Sequence, residues 1–149
     1  MKTTYLLLAF FLLLLISCKK EEPISYNQTD MWNCHHEGTW NAASTRIVLL
    51  GEWELEYVIC GGRGGITGGE PQVDLTIEFK SDNTLTVTLN RTITQTASWK
   101  VVEGDADLYE LDVEPFVSEI HGRILFCGST VEFNDSYLDG CDNYFSRKN

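Results

Sequence analysis

The sequence predicts an all-β domain, an antiparallel sheet of about eight strands, and three observations predict it. From Gly51 onward apolar and polar residues alternate with a period of two rather than 3.6. Short clusters of Gly, Asn, Asp and Ser separate the alternating runs. Setting aside a cysteine near the start, four remain in a chain of 149 residues, an even number suited to disulfides in an exported protein.

The strands follow in order. Trp53, Leu55, Tyr57 and Ile59 alternate with glutamates 52, 54 and 56. Val73, Leu75, Ile77 and Phe79 alternate with Asp74, Thr76, Glu78 and Lys80, and Ser81 to Thr84 then supplies a turn. Leu85, Val87 and Leu89 form the next apolar face, followed by Ile93, Gln95, Ala97, Trp99 and Val101. Tyr109, Leu111 and Val113 face away from Glu110, Asp112 and Glu114. Arg123 to Cys127 is nearly all apolar, Gly128-Ser129 turns the chain into Val131-Glu132-Phe133, and Asp139-Gly140 precedes a last run at Tyr144-Phe145. Residues 31–49 have room for one helical turn before the first strand. Runs that are half apolar and half polar make a sheet with one buried face. Open edges invite aggregation, so eight such strands close into a barrel or stack as a β-sandwich.

Charge and composition exclude several roles. A hydrophobic fraction of 43% excludes wholesale disorder, and 11 basic against 22 acidic residues give a net charge of −11. An acidic chain is a poor partner for nucleic acid, whose phosphates demand a basic face, and for anionic lipid.

The leader carries the most specific motif. Met1-Lys2 and the apolar run from Tyr5 to Ile16 have the length of a signal-peptide core, short of the roughly 20 residues of a spanning helix. The run ends at Leu15-Ile16-Ser17-Cys18, before Lys19-Lys20-Glu21-Glu22. This resembles the lipobox of bacterial lipoproteins, which implies cleavage before Cys18 and acylation of that cysteine. Two or three acyl chains on one residue hold to a membrane almost permanently, whereas one chain does not. The charged tetrad also looks like those that send some Bacteroidetes lipoproteins to the cell surface. The expected organisation is a signal peptide over 1–17, a lipidated flexible tether over 18–30 and a domain over 31–149 whose N-terminal extension is 31–49. The expected location is the outer membrane, on its periplasmic face or at the cell surface.

The remaining cysteines, 34, 60, 127 and 141, include no C-x-x-C pair, so neither a zinc knuckle nor a thioredoxin-type site is expected. Cys34-His35-His36-Glu37 reads as a bridged cysteine with solvated neighbours, because adjacent strand residues point to opposite faces and no fourth ligand is evident. His121, before Gly122, marks a turn. Asp135, Tyr137, Asp139 and Gly140 match a calcium loop only in part and read as Asx turns, as do Asp105 and Asp107. The glycine-rich segment 61–69 lacks the Lys-Ser/Thr and helix of a phosphate loop, so it reads as a mobile rim loop with Arg63 as its charged handle. No nucleophile elbow and no carboxylate in an apolar setting is evident, so no enzyme, metal or cofactor is expected.

Leu50-Gly51-Glu52-Trp53, running into a strand, resembles the G-x-W start of lipocalin-like barrels. With Ile77 to Asp82 and the ending Asp139 to Phe145, the pattern resembles a group of small Bacteroidetes lipoproteins with a lipocalin-like domain, over residues 50 to 148. The resemblance favours an up-and-down barrel over the sandwich and implies small apolar molecules as ligands. The chain departs from larger lipocalins in having no room for the helix that flanks their barrel, so the resemblance does not by itself imply their ligand pocket.

In an eight-stranded barrel the first and last strands pair antiparallel, which brings Cys60 to Cys141 at one rim and leaves Cys34 with Cys127 at the other. The expected inward aromatics are Trp53, Tyr57, Phe79, Trp99, Tyr109 and Phe133, enough to fill most of the interior. Gln95, the polar member of that face, meets either a backbone partner or a ligand. The functional expectation is therefore non-covalent binding of a small apolar ligand, with Arg63, Trp53, Tyr57, Gln95, Trp99 and Tyr109 as candidate contacts. The alternative is an interaction module that engages a protein or glycan through its loops, without a cavity.

Overall fold

A computed structural model describes residues 26–61 and 67–148. Cys18, most of the tether and Arg63 lie outside the described residues. Among the described residues the chain forms helices α1 (Gln28–His36) and α2 (Ala42–Leu49), then nine strands. These are β1 (Gly51–Cys60), β2 (Thr67–Gly69), β3 (Leu75–Phe79), β4 (Thr84–Leu89), β5 (Thr92–Glu103), β6 (Tyr109–Glu114), β7 (Arg123–Cys127), β8 (Thr130–Asn134) and β9 (Cys141–Arg147). The sheet runs β1-β3-β4-β5-β6-β7-β8-β9, all antiparallel, and β9 returns to pair with β1 from Trp53↔Arg147 to Cys60↔Cys141. It is a closed eight-stranded barrel, with β2 as an extra strand on β1.

Every barrel strand sends apolar side chains inward. Trp53, Ile77, Leu85, Ile124, Phe133 and Phe145 belong to one continuous buried cluster and are each at most 1% exposed. Fully burying a Phe, Leu or Ile contributes about 1.5–3 kcal/mol, so this interior is the main source of stability.

Four local expectations are corrected. The extension carries two helices where one turn was expected, and α1 begins inside the stretch read as tether. Each starts on an asparagine: Asn27 Oδ1 accepts from the Asp30 N–H, and Asn41 forms a reciprocal capping box with Ser44. A register shift between Leu55 and Tyr57 marks a bulge at Glu56. It inserts one residue, so Trp53 and Leu55 point inward, while Tyr57 and Ile59 join an outer cluster under α1. Val73 and Ile93 do not enter the interior; they are exposed. Thr67–Gly69, read as part of a mobile loop, pairs with Val58–Cys60.

The outer wall explains the apolar β7 run. Ile124 and Phe126 point into the barrel, and Leu125 points out beneath Met31 of α1, where Tyr144 and Leu108 also pack. A strand covered on both faces has no polar alternation to show. Disulfide Cys34–Cys127 fastens α1 to this wall, and Cys60–Cys141 closes the β1–β9 seam, with Cα separations of 5.4 and 4.2 Å. These are the two pairings that barrel closure predicts.

Candidate functional site

The barrel has a base, where α2 enters and the β3–β4, β5–β6 and β7–β8 turns lie. The opposite end is a mouth, where the connections leaving β1, β4, β6 and β8 lie. The base is sealed. Trp53 Nε1 donates to the Leu49 carbonyl at 2.7 Å, at the end of α2, and the Arg147 guanidinium lies 4.4 Å over the indole ring. Arg147 also donates to the carbonyls of Leu50, at 2.8 Å, and Val48. Trp99 Nε1 donates to the Thr84 carbonyl at 3.0 Å, beneath Arg46, which in turn donates to Ser81 and Asn83. Both indoles are buried and spend their N–H groups on backbone.

The mouth is stoppered by the connection from β6 to β7. Val117 and Ile120 of this segment belong to the interior cluster. Gln95 Nε2 donates to the carbonyls of Pro115 and Phe116 at 3.0 and 3.1 Å, so the backbone alternative describes its role in this structure. His121 Nδ1 lies 3.0 Å from Asp135 Oδ1, tying the stopper to the β8–β9 connection. At Gly122 (φ +94) a Cβ would come within 2.1 Å of the Asn134 carbonyl oxygen, so the return into β7 needs glycine. Between stopper and rim lies an open cleft of about 320 Å³, lined by Val58, Ser118, Glu119, Asp135, Gly140, Cys141 and Asn143.

The expected ligand contacts are therefore not gathered in one place. Trp53 and Trp99 seal the base, Gln95 holds the stopper, and half-buried Tyr109 pairs with Ile124 on the β6–β7 seam. Tyr57 stacks on Tyr26 outside the barrel, with ring centroids 5.0 Å apart.

A second polar feature lies in the wall under α1. Glu132 is fully buried, and its cross-strand neighbour is Tyr144, also fully buried. Asn134 Nδ2 donates to Glu132 Oε1 at 3.0 Å and to Asp142 Oδ1 at 2.9 Å. The same Asp142 oxygen accepts from the backbone N–H groups of Asp135 and Ser136. Glu132 Oε2 and Tyr144 Oη have no well-formed hydrogen bond. Burial and the nearby Asp142 carboxylate push the Glu132 carboxyl up to about 7. Glu132 corrects the expectation that no carboxylate lies in an apolar setting; the signal that could have found it is Leu125, its apolar cross-strand partner on the outer face of β7.

His35, expected as a solvated strand neighbour of the bridged Cys34, is instead buried on α1, where it accepts the Phe126 N–H on Nδ1 at 3.0 Å and stacks on Trp40. Burial and the neighbouring His36 hold it down to about 4, so it is neutral at pH 7. Among the described residues no three His, Cys, Asp or Glu side chains are grouped to hold a metal ion.

The two buried groups oppose each other in pH dependence. Glu132 takes up a proton on folding, so its contribution is full below about 4.5, the carboxyl's ordinary value, and is lost as pH rises to about 7. His35 has the reverse sign, its contribution being lost as pH falls from about 6.5 through about 4. Glu132→Gln keeps an acceptor for Asn134 and isolates the first term. The variant is expected to match the parent at pH 4 and to exceed it by about 2–3 kcal/mol at pH 8, measured by urea unfolding. Equal stabilities at pH 8 would show that Glu132 is not held in a dry wall.

Comparison with known proteins finds no matching family, no matching curated protein and no matching solved structure.

Proposed function

We propose that this chain is an exported, lipid-anchored envelope protein with a lipocalin-like barrel, acting as an interaction module that presents its loops to a protein or glycan. The observation that carries this reading is the filled interior: side chains from all eight barrel strands occupy it, with α2 at one end and Val117 and Ile120 at the other. A barrel of eight strands is just wide enough for side chains to fill or to hold one small ligand, and here side chains from every barrel strand turn into it. The anchor rests on the lipobox at Cys18, and two disulfides suit an oxidising compartment. The protein serves recognition, not catalysis.

Mass spectrometry of the protein purified from its own cells tests both parts. The mature chain is expected to begin at an acylated Cys18, and Cys18→Ala to abolish acylation. The delipidated domain is expected to carry no small molecule under native conditions. A stoichiometric apolar ligand would overturn the module reading in favour of a ligand cup.

A further inference from the structure

We propose that the mouth of the barrel is a docking face for a polypeptide segment that presents basic side chains among apolar ones. This deepens the interaction-module reading and rests on it. Large exposed apolar side chains are informative when they gather. Among the described residues five are exposed: Ile47, Val73, Ile93, Phe116 and Leu138, at 65, 42, 67, 62 and 60%. Ile47 is on α2 at the base. The other four lie in connections at the mouth end: Ile93 just after the β4–β5 turn, Phe116 on the stopper, Leu138 in the β8–β9 connection, and Val73 before β3, where it lines a separate groove with Glu54, Leu55 and Glu56.

The stopper sets two of them on a firm base. Gln95, two residues beyond Ile93, bonds the Phe116 carbonyl, and the Phe116 ring packs edge-on against His121 at 5.3 Å. His121 is tied to Asp135, so the Phe116 and Leu138 segments are linked across the open cleft. An apolar ring held in this way loses little freedom on binding.

Charge identifies the occupant. The same connections carry Glu70, Asp74, Glu119, Asp135 and Asp139, whereas their described basic residues are Arg91 and His121. Glu119 and Asp135 line the cleft itself. Carboxylates around apolar tips repel anionic lipid and complement a lysine or arginine flanked by apolar residues.

The test uses the mature, delipidated chain and a labelled ten-residue peptide of alternating leucine and lysine. Its leucine–glutamate counterpart and vesicles of neutral phosphatidylcholine are the comparison probes, and binding is read by fluorescence anisotropy and vesicle sedimentation. The leucine–lysine peptide is expected to bind. Phe116→Ser and Ile93→Ser are each expected to weaken it tenfold or more, Glu119→Gln about threefold, and Ile47→Ser not at all. Circular dichroism confirms that each variant is folded. No binding of that peptide, equal weakening by Ile47→Ser, rim variants that bind as the parent does, or preference for vesicles would each overturn the proposal. These outcomes are separate from the native-mass test, in which a molecule held inside the barrel overturns the module reading.

Discussion

Reducing both disulfides is expected to unfold most of the molecules at 37 °C. Cys60–Cys141 and Cys34–Cys127 join residues 81 and 93 positions apart. On the chain-entropy model each closes a loop worth roughly 4.5 kcal/mol, and measured values run at about 2–4. The loops interlock, and with one bond in place the other still closes a path of about forty residues, so the two contributions largely add. Domains of this size have a total stability of about 5–15 kcal/mol, which losing both bonds consumes in large part. Urea unfolding with and without reductant measures the loss. The double variants Cys60→Ser/Cys141→Ser and Cys34→Ser/Cys127→Ser apportion it. The first opens the β1–β9 seam, and the second frees α1 from β7 and wets Glu132. A midpoint unmoved by reductant would mean that neither bond constrains the unfolded chain.

What the sequence made legible was whatever depends on alternation alone. Trp53, Ile77, Leu85, Trp99 and Phe133 keep strict register between turns, and each lies where period two puts it. Barrel closure, selected by the resemblance and not by alternation, then brought Cys60 to Cys141 through pairing of the first and last strands and left Cys34 for Cys127. Failure begins where one inserted residue changes the face. The Glu56 bulge sends Tyr57 outward, and a second register shift, between Val87 and Thr88, accompanies the exposure of Ile93. A bulge has no composition of its own here, since no glycine or proline marks either site.

The helices were missed for a different reason. Nine and eight residues are too few to display a 3.6 period clearly, and α1 owes its place to Met31, Cys34 and His35 contacting the wall. The asparagine caps at 27 and 41 were the readable signal. As for the site, Val73 and Ile93 were assigned to strand interiors, because patterning assumes that large apolar residues are buried, and Phe116 and Leu138 carried no pattern at all. Ile93 and Val73 break that assumption, and the breach is what makes the mouth of interest.

Trp53→Ala is expected to destabilise the fold by about 3–5 kcal/mol, the range for deleting a fully buried ring. The indole does three things at once. It fills the base, its N–H satisfies the last carbonyl of α2 at Leu49, and its face carries the Arg147 guanidinium. Without the ring, Arg147 still caps the Leu50 and Val48 carbonyls, but over a void. Trp53→Phe restores most of the area and loses the N–H bond, for an expected cost of about 1–2 kcal/mol. Arg147→Met tests the cation while keeping a long apolar stem. If the guanidinium and the ring interact across the seam where β9 meets β1, the cycle of Trp53→Phe with Arg147→Met shows a coupling of about 0.5–2 kcal/mol. Urea unfolding followed by circular dichroism reads all four proteins without relying on the indole's fluorescence. A cost below about 1 kcal/mol for Trp53→Ala would mean that the base collapses around the missing ring, and that closure rests on the β1–β9 hydrogen bonds and the Cys60–Cys141 bond instead.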